Sequence, residues 1–203
     1  MQDSTDTELT GPARLRRSML VEGAREPVRS VRRSVTPTGR ERTWPEDDVI
    51  VSKTDLQGRI TYANRCFWAV SDYREEELIG QPHSLIRHPE MPRTVFKVLW
   101  DTIASGREIF AYVVNLTRGG DHYWVLAHVT PTFDDGGRIT GYHSNRRVPE
   151  RRALDLVRPL YARVLAEENR HVDRVAGLSA GVALVGSLLA EKKVSWDEFV
   201  FSL

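Results

Sequence analysis

The chain has 203 residues, 40% hydrophobic and 28% charged, enough for one packed domain with material left over or for two small ones. Lysine plus arginine number 29 against 28 aspartate plus glutamate, and a formal net charge of +1 argues against a dedicated nucleic-acid binder. The single cysteine excludes an internal disulfide framework and a cysteine-rich zinc site, and fits a reducing compartment.

Residues 1–44 are rich in arginine and carry no aromatic residue before Trp44. Ser, Thr, Gly and Pro punctuate them, and no apolar period lasts. Such a segment buries too little surface to offset its ordering entropy, so it is expected to be a disordered tail. Within it, 15–31 suits a transient basic helix that touches a membrane or an acidic partner. The N-terminus has acid where a signal peptide needs base. The longest uncharged stretch, 175–190, is shorter than the roughly 20 apolar residues of a spanning helix. The expected setting is therefore cytoplasmic.

From Asp48 the texture changes. Residues 49–54 are rich in β-branched side chains, 55–58 read as a turn, and 59–63 alternate polar with apolar, which predicts a β-hairpin. Asn64 stands at the N-cap of a short helix over 65–70. Residues 75–80 form a helical turn ended by Gly80. Residues 83–92 hold two prolines and read as irregular, and Pro92 opens a helix to about Ser105 with Val95, Leu99 and Ile103 at helical spacing. Strands follow at 108–117, 122–132 and 138–147, separated by turns at 118–121 and 134–137. This order predicts an α+β fold with one five-stranded antiparallel sheet. After Pro149 the pattern is helical to the end, in three pieces. Pro159 lies inside the first, and Ser195 with Glu198 makes a capping box before the third.

Several stretches carry a resemblance. They are 54–64, TDLQGRITYAN; then Leu78-Ile79-Gly80-Gln81-Pro82-His83; then Arg87-His88-Pro89-Glu90-Met91-Pro92. Gly119-Gly120-Asp121-His122-Tyr123-Trp124-Val125 and Gly141-Tyr142 complete the set. In this order and spacing, the block from about 49 to 147 resembles a PAS sensor domain, and more narrowly the PAS domain of bacterial aerotaxis receptors. The resemblance implies noncovalent FAD in the cavity, a redox state that reports oxygen or electron transport, and a signal passed to a chemotaxis kinase. It divides the chain into a tail (1–44), a PAS domain (45–148) and a C-terminal helical segment (149–203) for dimerisation or partner docking. The partners it implies are a chemoreceptor or sensor kinase and a second copy in a homodimer, with no nucleic acid.

The implied cofactor residues are Asn64, Arg87, His88, Glu90, Phe96, Trp100, Asn115 and His128. Arg87 and His88 match the family's Arg-His-Pro motif, where a guanidinium suits a phosphate or an anionic ring. Asn64 and Asn115 match pocket asparagines, whose amides both donate and accept. Asn64 also reads as an N-cap and nothing more. Phe96 and Trp100 lie on the helix that walls the cavity. The family's Pro-Trp pair is replaced by Glu108-Ile109, with Phe110 next and open to the role of the missing tryptophan. Glu90 stands for Asp, and His128 replaces an asparagine. His128 thus contacts a flavin, ligates haem iron, or faces outward. Cys66 reads as a small buried hydrophobe. No nucleophile–base pair, phosphate loop or kinase motif is present, so an enzyme is not expected. The alternatives to FAD are haem, another small ligand, or a cofactor-free interaction module.

Overall fold

A computed structural model of the chain describes residues 35–203. The expected basic helix at 15–31 lies outside the described residues. Five strands form one antiparallel sheet: β1 (Ile50–Thr54), β2 (Ile60–Ala63), β3 (Ile109–Leu116), β4 (His122–Phe133) and β5 (Ile139–Arg147), in the order β2-β1-β5-β4-β3. The turns are set by aspartates. Asp55 Oδ1 accepts the Gln57 and Arg59 amides at 2.9 and 2.8 Å, and Asp134 Oδ1 accepts those of Gly136 and Arg138 at 3.0 and 2.9 Å. Between β2 and β3 run α1 (Arg65–Ser71), α2 (Glu75–Leu78), a 3-10 turn over His83–Ile86, and α3 (Arg93–Ala104). The 83–92 stretch is thus partly helical, because Pro82 leads into the turn without giving up a needed N–H.

Period-two alternation gives the sheet two different faces. The inner face, with Ser52, Val113, Asn115, Ala127 and Arg146, looks toward α3. The outer face of β3 and β4 is covered by two of the chain's own C-terminal helices, α4 (Arg151–Asn169) and α6 (Trp196–Phe201), while α5 (Arg174–Lys192) packs against α4 and α3. Tyr161 of α4 donates its hydroxyl to the Tyr112 carbonyl at 2.8 Å, and Trp196 Nε1 donates to the Phe110 carbonyl at 2.7 Å. Ala153, Val157, Tyr161 and Val200 belong to the same buried core as Ile50, Phe67 and Val125. The C-terminal helical segment thus packs on the sheet through α4 and α6.

Among the described residues one helix, α5, is long and apolar enough to cross a membrane by length and composition. This revises the expectation that 175–190 falls short. Here α5 buries only Gly177, Gly181 and Val185. A Cβ at Gly177 would collide with the Glu168 carbonyl, and one at Gly181 with the Thr94 hydroxyl, so these glycines permit close approach to α3 and α4.

The expected tail boundary at 44 also shifts. Where β5 has ended, residues 38–42 line the free edge of β4. The Thr38 amide donates to the Gly120 carbonyl at 2.8 Å, His122 N to Arg40 O at 2.9 Å, and Arg42 N to His122 O at 2.7 Å. Glu41 then pairs with Arg151 and Arg158 of α4 at 2.6 and 3.1 Å. Backbone pairing of this kind has no side-chain period, so composition alone reads the segment as disordered.

Candidate functional site

The cavity lies between the inner sheet face and α3, with a volume of about 310 Å³. That is at the lower end of the about 300–1,000 Å³ of ligand pockets. Phe96, Leu99, Trp100 and Ile103 project from α3 at 3–4 residue spacing and form one wall. Trp100 meets Tyr142 of β5 edge to face at 5.5 Å. Gly58, with φ of +74°, lets the β1–β2 turn lie against the indole, and a Cβ there would stand 2.9 Å from it. Arg87 is at the opening, its guanidinium 3.8 Å above the Phe96 ring.

The inner end of the cavity is polar and positive. Arg146 is 4% exposed. Its Nη2 donates to Ser52 Oγ at 2.6 Å and to His83 Nε2 at 2.6 Å. Its Nη1 has no partner among the described residues, and no carboxylate pairs with it there. Burial pushes Arg146 down to about 10, so it stays charged near pH 7. Burial first, then the charges of Arg146 and Arg87, hold His83 well below the ordinary imidazole value. His83 is therefore neutral near pH 7, and because Nε2 accepts from arginine its proton sits on Nδ1. Asn115 is 3% exposed and its Nδ2 has no acceptor among the described residues. Ser144 Oγ, on the same lining, is also unpartnered. A buried donor without an acceptor costs about 1–3 kcal/mol, and more for a charged group. The arrangement is complementary to a flat ligand with an acceptor-rich or anionic edge.

The expected residues separate into two groups. Arg87, Phe96, Trp100 and Asn115 line this cavity. Asn64 does not: its Oδ1 accepts the Val51 and Phe67 amides, each at 3.0 Å, and its Nδ2 donates to the Val49 carbonyl at 2.8 Å. The amide is fully used as a cap and cross-link. His88 is buried, and its Nδ1 accepts the Glu90 amide at 3.2 Å, while the Glu90 side chain is exposed. Neither lines the cavity.

His128 lies on the outer sheet face, stacked on Phe110 at 4.2 Å and 2.8 Å from Glu108 Oε2. This corrects its assignment as a cofactor contact or haem ligand: alternation along β4 turns Ala127 and Val129 inward and His128 out. Phe110 faces outward as well, against Phe201 at 4.6 Å. Cys66 is half-buried away from the cavity, its thiol pushed up by burial and by Asp48.

Sequence reading missed Ser52, His83, Tyr142, Ser144 and Arg146. The signal was the same-face alternation of Tyr142, Ser144 and Arg146 along β5.

Residues 60–146 match the family described as PAS fold. The aerotaxis receptor of Escherichia coli (strain K12) is 42% identical over 116 residues, which are 57% of this chain and 23% of that receptor. A nitrogen fixation regulatory protein of Klebsiella pneumoniae is 28% identical over 99 residues, 49% of this chain and 20% of that protein. The matched part is thus about a quarter or less of these relatives' length. The light-state structure of the blue-light photoreceptor Aureochrome1 LOV is similar with a TM-score of 0.47 and 24% identity, covering 60% of this chain and 91% of that one.

Proposed function

We propose that this PAS domain is a flavin-binding redox or oxygen sensor, with FAD as the flavin, and that it reports to a signalling partner such as a chemoreceptor or sensor kinase. One observation carries the reading. Two buried donors without acceptors, Asn115 Nδ2 and Arg146 Nη1, lie on a cavity walled by Phe96, Trp100 and Tyr142. A flavin ring is flat and aromatic and presents carbonyl oxygens and ring nitrogens along one edge, so these residues fit it. The similarity to an aerotaxis receptor supports a sensing role.

When bound, a flavin supplies reversible electron uptake. The chain's part is to hold and bias it. Asn115 donates to the ring edge, and Arg146 places a fixed positive charge where added negative charge is favoured. Ser52 and His83 orient that guanidinium through Nη2. Phe96 and Trp100 pack the ring and exclude water. They sit on α3, whose first turn is held by Glu168 of α4. A shift of α3 that follows the hydrogen bonding of the ring edge thereby reaches the C-terminal helices. It moves a partner equilibrium by the difference in affinity between the two states.

The test is the absorption spectrum of natively purified chain, with release and identification of the chromophore. Flavin bands and released FAD are expected, and Asn115→Ala is expected to weaken FAD retention at least tenfold. A colourless chain that takes up neither FAD nor FMN on titration overturns the reading.

A further inference from the structure

Helix α5 has one side on the fold and one side open. Its buried residues, Gly177, Gly181 and Val185, face α3 and α4. The opposite side exposes Val175, Ser179, Val182, Ala183, Gly186 and Ala190. Val175 is 71% exposed and Val182 38%, and Val172, just ahead of the helix, is fully exposed. Residues 175–190 contain no charged side chain. A helix that faces water ordinarily sets charged side chains opposite its buried stripe, as α4 does with Arg152, Asp155 and Arg163. The open side of α5 lacks them along its whole length.

Cations bracket this face. Arg174 stands at its start and Lys192 and Lys193 at its end, none with a carboxylate partner among the described residues. Of the acids there, Asp173 caps the Val175 amide at 2.7 Å, Glu167 pairs with Arg170 at 2.7 Å, and Glu191 is exposed and unpaired. The helix and its ends therefore carry only a small positive excess. The larger charge is in the sequence ahead of the described residues, where 14–33 hold seven arginines and two glutamates. Val35 lines the same groove as Asn169, His171 and Arg174. Arg33 precedes it by two residues, at most about 7 Å of chain, so the basic run joins the fold beside the start of α5.

We infer that the open face of α5 and the basic run 14–33 together dock the chain on an anionic lipid bilayer. The helix lies along the surface, because its other side is taken by α3 and α4. Val172, Val175 and Val182 enter the boundary between headgroups and acyl chains, and Lys192 and Lys193 lay their stems on it while their ammonium groups reach phosphate. Neither signal suffices alone. A short face of valine, alanine and glycine binds marginally, and the attraction of a basic run fades within a Debye length. Together they hold. A second copy is a poorer occupant of the face, because two chains joined through α5 bring two basic runs together, whereas an anionic bilayer neutralises them. The docked helix touches α3, so the wall of the cavity stands one helix away from the membrane surface. The inference is independent of what fills the cavity.

The experiment floats the full chain with vesicles of phosphatidylcholine alone and of phosphatidylcholine with phosphatidylserine, at low and high salt. Binding to the anionic vesicles is expected to be at least tenfold tighter than to the neutral ones, with the difference shrinking in high salt. Val175→Gln with Val182→Gln is expected to weaken it about tenfold. Both side chains are exposed, and an unchanged melting curve confirms that the fold is kept. Leu56→Gln, exposed on the β1–β2 turn, leaves binding unchanged. A second readout locates the helix. An environment-sensitive dye on Ser179→Cys, in a Cys66→Ser background, is expected to shift to the blue with anionic vesicles, and the same dye on Asp155→Cys of α4 is not. No binding, or equal binding to both vesicles, overturns the inference. So does binding that survives the valine changes or leaves the dye unshifted, which is the basic run acting alone. A dye shift without lipid that grows with protein concentration overturns it in favour of a second copy.

Discussion

Arg146 carries a charge in the core with no carboxylate beside it. A buried ion in that position lowers the stability of the ligand-free fold, and replacing such ions with apolar groups is neutral or stabilising by about 1–4 kcal/mol. Arg146→Met is therefore expected to raise the melting temperature of the ligand-free chain while removing FAD retention. Thermal scans with and without FAD check both, and a fall in ligand-free stability would mean that the guanidinium is balanced within the fold. His83 gives a pH signature. Its folded-state value lies below the unfolded value of about 6.5, so its contribution is present above that pH and is lost as pH falls below it. His88 and His143, lowered first by burial, act in the same direction. Stability is expected to decline below about pH 6.5, before carboxylates titrate. His83→Gln should flatten the slope by at most about 1.4 kcal/mol per pH unit, read from urea titrations across the range. At this scale the sequence is half legible. Phe96 and Trp100 are found because an amphipathic helix exposes its own period. Arg146 is missed because an arginine near a strand end reads as solvated, and only its alternation with Tyr142 and Ser144 places it inside.

Helices α3, α4 and α5 meet at a single carboxylate, Glu168, which reaches the first turn of α3 while Gly177 and Gly181 bring α5 against it. Removing one partner of a buried pair costs about 3–5 kcal/mol, so Glu168→Ala should be strongly destabilising in chemical denaturation. Gly181→Ala tests the same contact from the other side. Its methyl group has no room against Thr94, and overpacking of this kind costs about 1–3 kcal/mol. Amide exchange should speed up in α5 and leave the sheet unchanged; uniform acceleration would show that the helix is not a separable unit. Most elements are readable in the sequence because aspartate turns and glycines punctuate them. The segment at 38–42 is not, because it is held by backbone groups and by Glu41, which finds its partners more than a hundred residues later.

The molecule as a whole is a sheet with a ligand-sized cavity on one face and α4 and α6 of its own C-terminal segment on the other. Removing 149–203 would uncover the outer-face side chains of β3 and β4, including Tyr112, Trp124 and Phe110. The truncated chain is expected to self-associate or precipitate where the full chain does not, as sedimentation velocity would show. A well-behaved monomer after truncation would mean that the outer face is stable when bare. The two anchors of that covering, the Tyr161 hydroxyl and the Trp196 indole, reach main-chain carbonyls of β3. Every amino acid placed at 110 or 112 supplies the same carbonyl, so a saturation scan of β3 will register side-chain packing and leave these two attachments invisible. The mutational record of this interface is one-sided, written at 161 and 196.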